Sequence, residues 1–175
     1  LEHETCSMED FKALLSPAAA PFLEEMAVKA QRETQKHFGN TVYLFTPLYI
    51  ANYCENYCVY CGFNCTNKIH RAILTPDEIH EECRAIKKDP FQHILLVTGE
   101  APRSSSVQYM ADSMEIVKQY FQQISLEVQP LETDEYRLLM DHGLHSVYVY
   151  QETYNRERYP VYHLRGRKAD YRYRL

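Results

Sequence analysis

The first forty residues carry apolar side chains at helical spacing. Ser7 and Asp10 match a capping box, which predicts a short helix over residues 7–15. A second helix is predicted to begin at Ser16, a good N-cap, and to end at Gly39. Its apolar stripe consists of Phe22, Leu23, Met26 and Ala30. We expect this stripe to be ordinary core packing and residues 1–40 to form a helical lead-in to a second domain.

From residue 41 onward, strand-like and helix-like patterns alternate. Apolar, β-branched runs predict strands over residues 41–50, 93–97, 124–128 and 146–150. Between them, a capping box at Thr75 and Glu78 begins one helix, and apolar spacing predicts helices over 110–121 and 133–141. Such βαβαβαβ alternation predicts an α/β fold with a parallel sheet and right-handed crossovers.

Chemically capable residues follow each predicted strand. Cysteines follow the first strand, Gly99 and Glu100 the second, Glu127 lies near the end of the third, and Gln151 and Glu152 follow the fourth. Because sites in parallel α/β sheets lie beyond the carboxyl ends of the strands, we expect these side chains to share one mouth.

The cysteines after the first strand, Cys54, Cys58 and Cys61, have the spacing C-x3-C-x2-C. Thiolates are soft ligands that select zinc, copper(I) or iron–sulfur clusters. Three thiolates with no neighbouring histidine suit a four-iron cluster that keeps one iron open for chemistry. A zinc site would need a second C-x2-C pair, which Cys65 and Cys83 do not form. Cys83 lies on a helical apolar stripe and is interpreted as core.

Cys65 leaves a further alternative open. It lies four residues after Cys61, so a role as a fourth ligand that closes the cluster has to be weighed against an ordinary loop thiol. We favour the loop thiol, since three cysteines are sufficient for a cluster with an open iron.

Length and charge limit the remaining classes. The chain has 175 residues, is 45% apolar, carries a net charge of −5 and contains no apolar run of membrane-spanning length. Residues 155–175 are basic and rich in tyrosine, which superficially fits a platform for single-stranded RNA; a connection that lines a site for anionic groups is the favoured interpretation. A (β/α)8 TIM barrel takes roughly 250 residues, so residues 41–175 are expected to be the first four βα units of a truncated barrel.

Several segments together resemble a known family. The cysteine motif, with the aromatic Tyr60 before its last cysteine, is similar to that of the radical S-adenosylmethionine superfamily. The segments LLSPAA, FGNTVYLFTPLYIANYCENYCVYCGF, ILLVTGE, LEVQPL, EYRLL and VYQETY resemble its 2-iminoacetate synthase family, the tyrosine lyases of thiazole formation in thiamine biosynthesis. The resemblance runs over nearly the whole chain.

The resemblance implies a set of site residues. Cys54, Cys58 and Cys61 would each bind one iron of a [4Fe-4S] cluster, and S-adenosyl-L-methionine would chelate the fourth iron. The residues implied for S-adenosylmethionine are Tyr60, Gly99, Glu100, Glu152 and Arg174, with Arg172 as the alternative arginine. Arginine suits a carboxylate because its planar fork binds both oxygens.

The resemblance also implies a reaction and partners. A 5′-deoxyadenosyl radical would take a hydrogen from L-tyrosine, and cleavage of the Cα–Cβ bond would give 2-iminoacetate (dehydroglycine) and p-cresol. Thiazole synthase would receive the imine, and a flavodoxin or ferredoxin would supply the electron. The absence of a signal peptide leads us to expect a cytoplasmic protein that binds neither nucleic acid nor membrane.

Two alternatives stay open at this point. One is the tyrosine lyase of [FeFe]-hydrogenase maturation, which carries a second cluster on a C-terminal extension. The other, of a different class, is a non-catalytic module that binds zinc or an iron–sulfur cluster. No tyrosine-binding residue is assigned, and the isolated 175 residues are expected to be inactive.

Overall fold

The computed structural model describes residues 5–175, which divide into two compact units with the boundary between Tyr43 and Leu44. The first unit contains helix α1 (Met8–Leu14), a 3-10 helix (Pro17–Phe22) and helix α2 (Leu23–Phe38). The Ser7 side chain accepts a hydrogen bond from the Asp10 backbone N–H, and the Asp10 carboxylate accepts one from the Ser7 backbone N–H. The predicted capping box is therefore confirmed.

Two details of this unit differ from expectation. The segment after Ser16 begins as a 3-10 helix that contains Pro17 and Pro21, since two prolines remove backbone donors from an α-helical ladder. No side chain of α2 is buried, and Phe22 and Leu23 are at least half exposed, so the expected core packing of the apolar stripe is not observed. A few short helical segments hold too little apolar surface to enclose one another.

The second unit has a four-stranded parallel sheet. Its elements are β1 (Phe45–Ala51), β2 (Tyr57–Cys58), α3 (Pro76–Ile86), β3 (His93–Thr98), α4 (Val107–Val117), β4 (Gln123–Glu127), α5 (Thr133–Asp141), β5 (Leu144–Tyr148), α6 (Tyr159–Tyr162) and β6 (His163–Arg165). The sheet order is β1-β3-β4-β5, and every neighbouring pair is parallel. The predicted α/β fold with a parallel sheet is therefore confirmed.

The core lies between this sheet and helices α3, α4 and α5. Leu48, Leu96 and Leu126 are paired across β1, β3 and β4 and are almost fully buried. Strand β3 is buried along nearly its whole length, as its continuous apolar run predicts. Cys83 is fully buried within this core, which agrees with its interpretation as a small apolar residue.

Helix α4 spans Val107–Val117 rather than residues 110–121, and β5 begins at Leu144 rather than Ser146. Two further strand boundaries were also predicted inaccurately. Strand β1 begins at Phe45 rather than Thr41, and β5 ends at Tyr148 rather than Tyr150. In both cases the apolar pattern continues beyond the residues that pair with a neighbouring strand, so the pattern alone does not mark the strand end.

The basic segment after β5 has structure that the sequence pattern did not predict. Strand β6 pairs antiparallel with β2, which lies inside the cysteine loop, and Cys58 is opposite His163. This segment therefore folds back over the cysteines.

Among the described residues, no helix is both long and apolar enough to cross a membrane.

The capping box of α3 leads to a stability prediction. The Thr75 side chain accepts a hydrogen bond from the Glu78 backbone, and the Glu78 carboxylate accepts one from the Thr75 backbone. Replacing Thr75 by Ala is expected to lower the free energy of unfolding by about 1 kcal/mol, because an orphan donor loses its partner. Urea denaturation of the natural protein measures this change.

The control for this prediction is Thr75→Ser, which keeps the hydroxyl oxygen and should lose much less stability. Equal urea midpoints for the Ala and Ser variants would contradict the capping role of Thr75.

Candidate active site

A cavity of about 700 Å³ lies at the carboxyl ends of the parallel strands. The three motif cysteines line it, together with Gly99, Glu100, Glu127, Glu152 and Arg174. The residues expected to share one mouth therefore line one cavity, with the exception of Gln151, which is not part of its lining. A cavity of this volume accommodates a cofactor-sized ligand.

Backbone hydrogen bonds fix the cysteine loop against the sheet. The Glu55 N–H donates to the Glu100 carbonyl oxygen at 2.8 Å, and the Gly99 N–H donates to the Ala51 carbonyl at 3.1 Å. Further along the loop, the Val59 N–H donates to the Tyr162 carbonyl at 3.0 Å. The loop is therefore held both by the end of β3 and by the basic segment.

Arg71 organises the far side of this loop. Its guanidinium donates to the carbonyl oxygens of Asn52 (2.5 Å), Phe63 (2.9 Å) and Asn64 (2.7 Å). These carbonyls lie on both sides of the three motif cysteines. One planar fork with several donors can satisfy them together, which a lysine ammonium does poorly.

The three motif thiols are free and differ in exposure. Cys58 is buried, whereas Cys54 and Cys61 are partly exposed to the cavity. Burial raises the pKa of Cys58, and the nearby Lys168 ammonium opposes that rise. Within residues 5–175, no group of three or more His, Cys, Asp or Glu side chains is arranged around a point for a single metal ion. A four-iron cluster does not require such convergence, because each cysteine binds a different iron.

Cys65 lies apart from this set. It is partly buried and is not among the residues that line the cavity. Its backbone N–H donates to the Asn56 carbonyl at 2.8 Å, which gives it a place in the loop's hydrogen bonding. This placement favours an ordinary loop thiol over a fourth cluster ligand.

Glu100 and Arg174, which the sequence suggests as separate ligands, contact each other. The Arg174 Nη2 lies 2.7 Å from the Glu100 Oε2, and both side chains are more than nine-tenths buried. The Glu100 Oε1 and the Arg174 Nε have no hydrogen-bond partner among the described residues. Buried polar atoms of this kind need a partner, so a bound ligand with an ammonium and a carboxylate fits this end of the cavity. Arg172 is exposed and does not line the cavity, so Arg174 is the better placed arginine.

Gly99 has a clear steric requirement. A Cβ atom at this position would lie 2.2 Å from the carbonyl oxygen of Tyr53 and 3.1 Å from the Cβ of Cys54. Only glycine lets the end of β3 approach the cysteine loop this closely. Its predicted contact with S-adenosylmethionine stays a prediction.

Glu152 forms a second ion pair at the cavity. Lys168 Nζ donates to its Oε1 at 2.9 Å, and Glu152 has a φ of 67°, a left-handed conformation that non-glycine residues adopt infrequently. Burial acts to raise the pKa of Glu152, but the hydrogen bond and charge of Lys168 outweigh it and the pKa falls. Glu127, by contrast, has a raised pKa because of burial and the neighbouring Glu152 carboxylate.

Tyr60 is oriented by a buried histidine. His163 Nδ1 lies 2.9 Å from the Tyr159 carbonyl, which can only accept, so Nδ1 carries the proton. Burial lowers the pKa of His163, which favours the neutral ring with an unprotonated Nε2. The Tyr60 hydroxyl therefore donates to that Nε2 at 2.7 Å. Tyr159 stacks on the other side of the His163 ring with 4.0 Å between centroids.

Four residues of the site were not identified from the sequence. They are Asn56, Arg71, Lys168 and His163. Asn56 lies between two motif cysteines, so its position was the one available signal. The others are distant in sequence from their partners, and no local pattern indicates those contacts.

The comparisons with known proteins agree on one family. The model of the radical SAM superfamily matches residues 48–175. The chain is 45% identical to 2-iminoacetate synthase of Salmonella typhimurium over 97% of its own length and 45% of that protein. It is 34% identical to 3-methylornithine synthase of Methanosarcina acetivorans over 87% of its length and 44% of that protein. The chain thus spans about half the length of the curated relatives it matches.

A solved structure is similar as well. The crystal structure of HydG, a maturase of the [FeFe]-hydrogenase, superimposes with a TM-score of 0.83 at 28% identity. The match covers 87% of this chain and 35% of that one.

The cysteine assignment leads to a prediction about metal content. Cys58→Ala in the natural protein is expected to lose most of its iron and sulfide after anaerobic reconstitution, because a three-thiolate site then has two ligands. Cys65→Ala is the matched control, since it removes a thiol of the same loop outside the cavity. Iron and sulfide analysis measures both, and a loss in the Cys65 variant equal to that in the Cys58 variant would contradict the assignment.

The contacts of Arg71 lead to a separate prediction. Arg71→Met is expected to lower the free energy of unfolding by about 2 kcal/mol or more, because several loop carbonyls lose a charged donor. It should also slow cluster incorporation. Arg84→Met, which removes an exposed arginine of α3, is the control for lost charge. Urea midpoints and the rate of increase of cluster absorbance measure the two effects. Equal midpoints and equal rates for the Arg71→Met and Arg84→Met variants would refute the organising role of Arg71.

Proposed function

Because the chain belongs to the radical S-adenosylmethionine superfamily, we propose that it is part of a 2-iminoacetate synthase. In this proposal the natural protein cleaves the Cα–Cβ bond of L-tyrosine and yields 2-iminoacetate and p-cresol. In the same proposal, residues 41–175 form the first four βα units of its TIM barrel.

One observation carries the proposal. Three thiols with C-x3-C-x2-C spacing line the same cavity as a buried carboxylate and a buried arginine, each of which has an atom without a hydrogen-bond partner in the described part of the chain. The 45% identity to 2-iminoacetate synthase over 97% of this chain supports the choice among radical S-adenosylmethionine reactions.

The cofactors fit the residues present. Members of this superfamily use a [4Fe-4S] cluster and S-adenosylmethionine, which together supply a carbon-centred radical able to take hydrogen from an unreactive substrate. Cys54, Cys58 and Cys61 would hold the cluster. Glu100 would accept hydrogen bonds from the amino group of S-adenosylmethionine, and Arg174 would donate to its carboxylate.

The remaining residues at the cavity position and shield the ligand. Tyr60, fixed by its hydrogen bond to His163, offers a ring face at the mouth of the cavity for the adenine. Glu152, held by Lys168, presents a carboxylate acceptor at the same mouth for the ligand's hydroxyl groups. Strand β6 pairs with β2 beside Cys58, and Cys58 is the motif cysteine that is buried from water.

We further propose where the product and the electrons pass. An imine hydrolyses readily in water, so a partner that consumes it directly is needed, and thiazole synthase is that partner in this proposal. A flavodoxin or ferredoxin would supply two electrons, one for reductive cleavage of S-adenosylmethionine and one that, with a proton, reduces the cresyl radical left by Cα–Cβ cleavage to p-cresol. The reaction would take place in the cytoplasm.

A second candidate is the tyrosine lyase of [FeFe]-hydrogenase maturation. The TM-score of 0.83 with HydG is the observation that favours it. Both candidates share the cluster, S-adenosylmethionine and tyrosine cleavage, and they differ in whether carbon monoxide and cyanide are formed afterwards. The higher identity to 2-iminoacetate synthase leads us to prefer the first.

The test is an anaerobic assay of the reconstituted natural protein with S-adenosylmethionine, dithionite and L-tyrosine. Equimolar p-cresol and 5′-deoxyadenosine are expected, with 2-iminoacetate detected as its hydrolysis product glyoxylate. Glu100→Gln should weaken binding of S-adenosylmethionine about tenfold or more, because a neutral amide replaces a charged acceptor.

The outcomes separate the candidates. Formation of 5′-deoxyadenosine without p-cresol would refute tyrosine cleavage and favour another substrate of this superfamily. Release of carbon monoxide and cyanide in addition to p-cresol would favour the maturation lyase. Zinc at one per chain without iron and sulfide would refute both and support a structural metal module.

A further inference from the structure

Asn56 lies inside the cysteine motif, between Cys54 and Cys58, and is 2% exposed. Its side-chain Nδ2 donates to Glu100 Oε2 at 2.7 Å. Its Oδ1 accepts from the backbone N–H of Lys168 at 3.0 Å. One buried amide thus connects the cysteine loop, the end of β3 and the basic segment.

The orientation of this amide is determined by its partners. The Lys168 partner is a backbone N–H, which can only donate, so it must face the amide oxygen. The Glu100 carboxylate accepts, so it must face the amide NH2 group. The reversed orientation of the amide group is thus excluded, and Asn56 donates a hydrogen bond to Glu100.

Asn56 also determines which oxygen of Glu100 is free. Two donors to this carboxylate, Asn56 Nδ2 and Arg174 Nη2, lie 2.7 Å from the same atom, Oε2. The other oxygen, Oε1, is buried and has no hydrogen-bond partner among residues 5–175. A carboxylate with one oxygen engaged and the other free is prepared to accept a further donor at the free oxygen.

Gly166 packs closely against the Oδ1 and Cα atoms of Asn56. A Cβ atom on Gly166 would lie 2.1 Å from Asn56 Oδ1 and 2.8 Å from its Cα. Gly166 has a φ of 88°, which also favours glycine. The amide is therefore held by close packing as well as by hydrogen bonds.

From these contacts we propose that Asn56 is a positioning residue that holds Glu100 so that Oε1 receives the amino group of S-adenosylmethionine. The inference rests on the cofactor named in the proposed function and adds a residue that acts through Glu100. Asn56 also lines the cavity, but both polar atoms of its side chain are already bonded to Glu100 and Lys168, so it acts through Glu100. Its loss should weaken recognition of the amino group while the three cysteines still bind the cluster.

The main test uses Asn56→Asp in the natural protein with its cluster reconstituted and oxidised, so that no turnover occurs. The variant keeps the acceptor for Lys168 and replaces the donor to Glu100 by a repelling carboxylate. We expect the Kd for S-adenosylmethionine to rise about tenfold or more, because a hydrogen bond to a charged group is lost. Anaerobic calorimetry measures the Kd, and iron analysis should show an unchanged cluster.

The matched control is Asn64→Asp, which adds the same charge within the same loop. Asn64 Oδ1 accepts from the Thr66 backbone and hydroxyl at 2.8 and 2.7 Å, and a carboxylate retains both bonds. Asn64 does not line the cavity. This variant should bind S-adenosylmethionine as the unaltered protein does.

A ligand control separates positioning from general loop structure. An analogue of S-adenosylmethionine that lacks the α-amino group cannot donate to Glu100. Asn56→Asp should therefore leave the Kd of this analogue within about twofold of its unaltered value, since no charged hydrogen bond is at stake. A rise for the analogue equal to that for S-adenosylmethionine would overturn the proposal.

A second pair of variants covers the case in which Asn56→Asp does not fold. Gly166→Ala inserts a methyl group against Asn56, whereas Gly143→Ala has a similar φ of 95° and no atom within 4 Å of the new Cβ. Both carry the same kind of backbone strain. Only Gly166→Ala should raise the Kd for S-adenosylmethionine, and equal values for the two would overturn the proposal.

These outcomes are independent of the lyase assignment. If the unaltered protein binds S-adenosylmethionine but does not cleave tyrosine, the proposed reaction fails and the role of Asn56 is still decided by the Kd values. If the unaltered protein does not bind S-adenosylmethionine at all, both proposals are refuted.

Discussion

The buried carboxylate of Glu100 is the constraint on which the rest of the site depends. A charged group that is 6% exposed is costly unless donors surround it. Here the donors come from two separate segments, Asn56 of the cysteine loop and Arg174 of the basic segment. Satisfying one carboxylate therefore brings the end of β3, the cysteine loop and the basic segment to the same place.

The second ion pair extends this arrangement toward the cysteines. Lys168 accompanies Glu152 and lies 5.7 Å from the centre of the Tyr60 ring, and its charge acts against the rise in the pKa of Cys58. Thiolates bind metals and thiols do not, so a nearby ammonium favours the ligating form. Two basic side chains of residues 155–175, Lys168 and Arg174, thus have a local role at an acidic, thiol-rich cavity, which agrees with the interpretation of this segment as a lining for anionic groups.

Most of the fold was accessible from the sequence because it depends on local signals. The capping boxes at Ser7 and Thr75, the buried run of β3 and helix α5 were predicted close to their observed positions. The first residue of β1 and the last residue of β5 were not predicted correctly, because strand pairing and not the apolar pattern decides where these strands begin and end. The pairing of β2 with β6 was also missed, because two- and three-residue strands have no readable periodicity.

The candidate site likewise has some features that the sequence predicts and others that it does not. The cysteines and Glu100 stand at the ends of strands, so topology alone predicts their meeting at one mouth. The contacts of Asn56, Arg71 and His163 depend on how loops fold over one another, and their partners are other loops' backbone atoms and side chains. Such contacts leave no pattern in a single sequence. They nevertheless determine geometry: a cluster loop held by Arg71 and an acceptor held by Asn56 place the chemistry that the motif residues supply, since a misplacement of about 1 Å can cost 100-fold in rate.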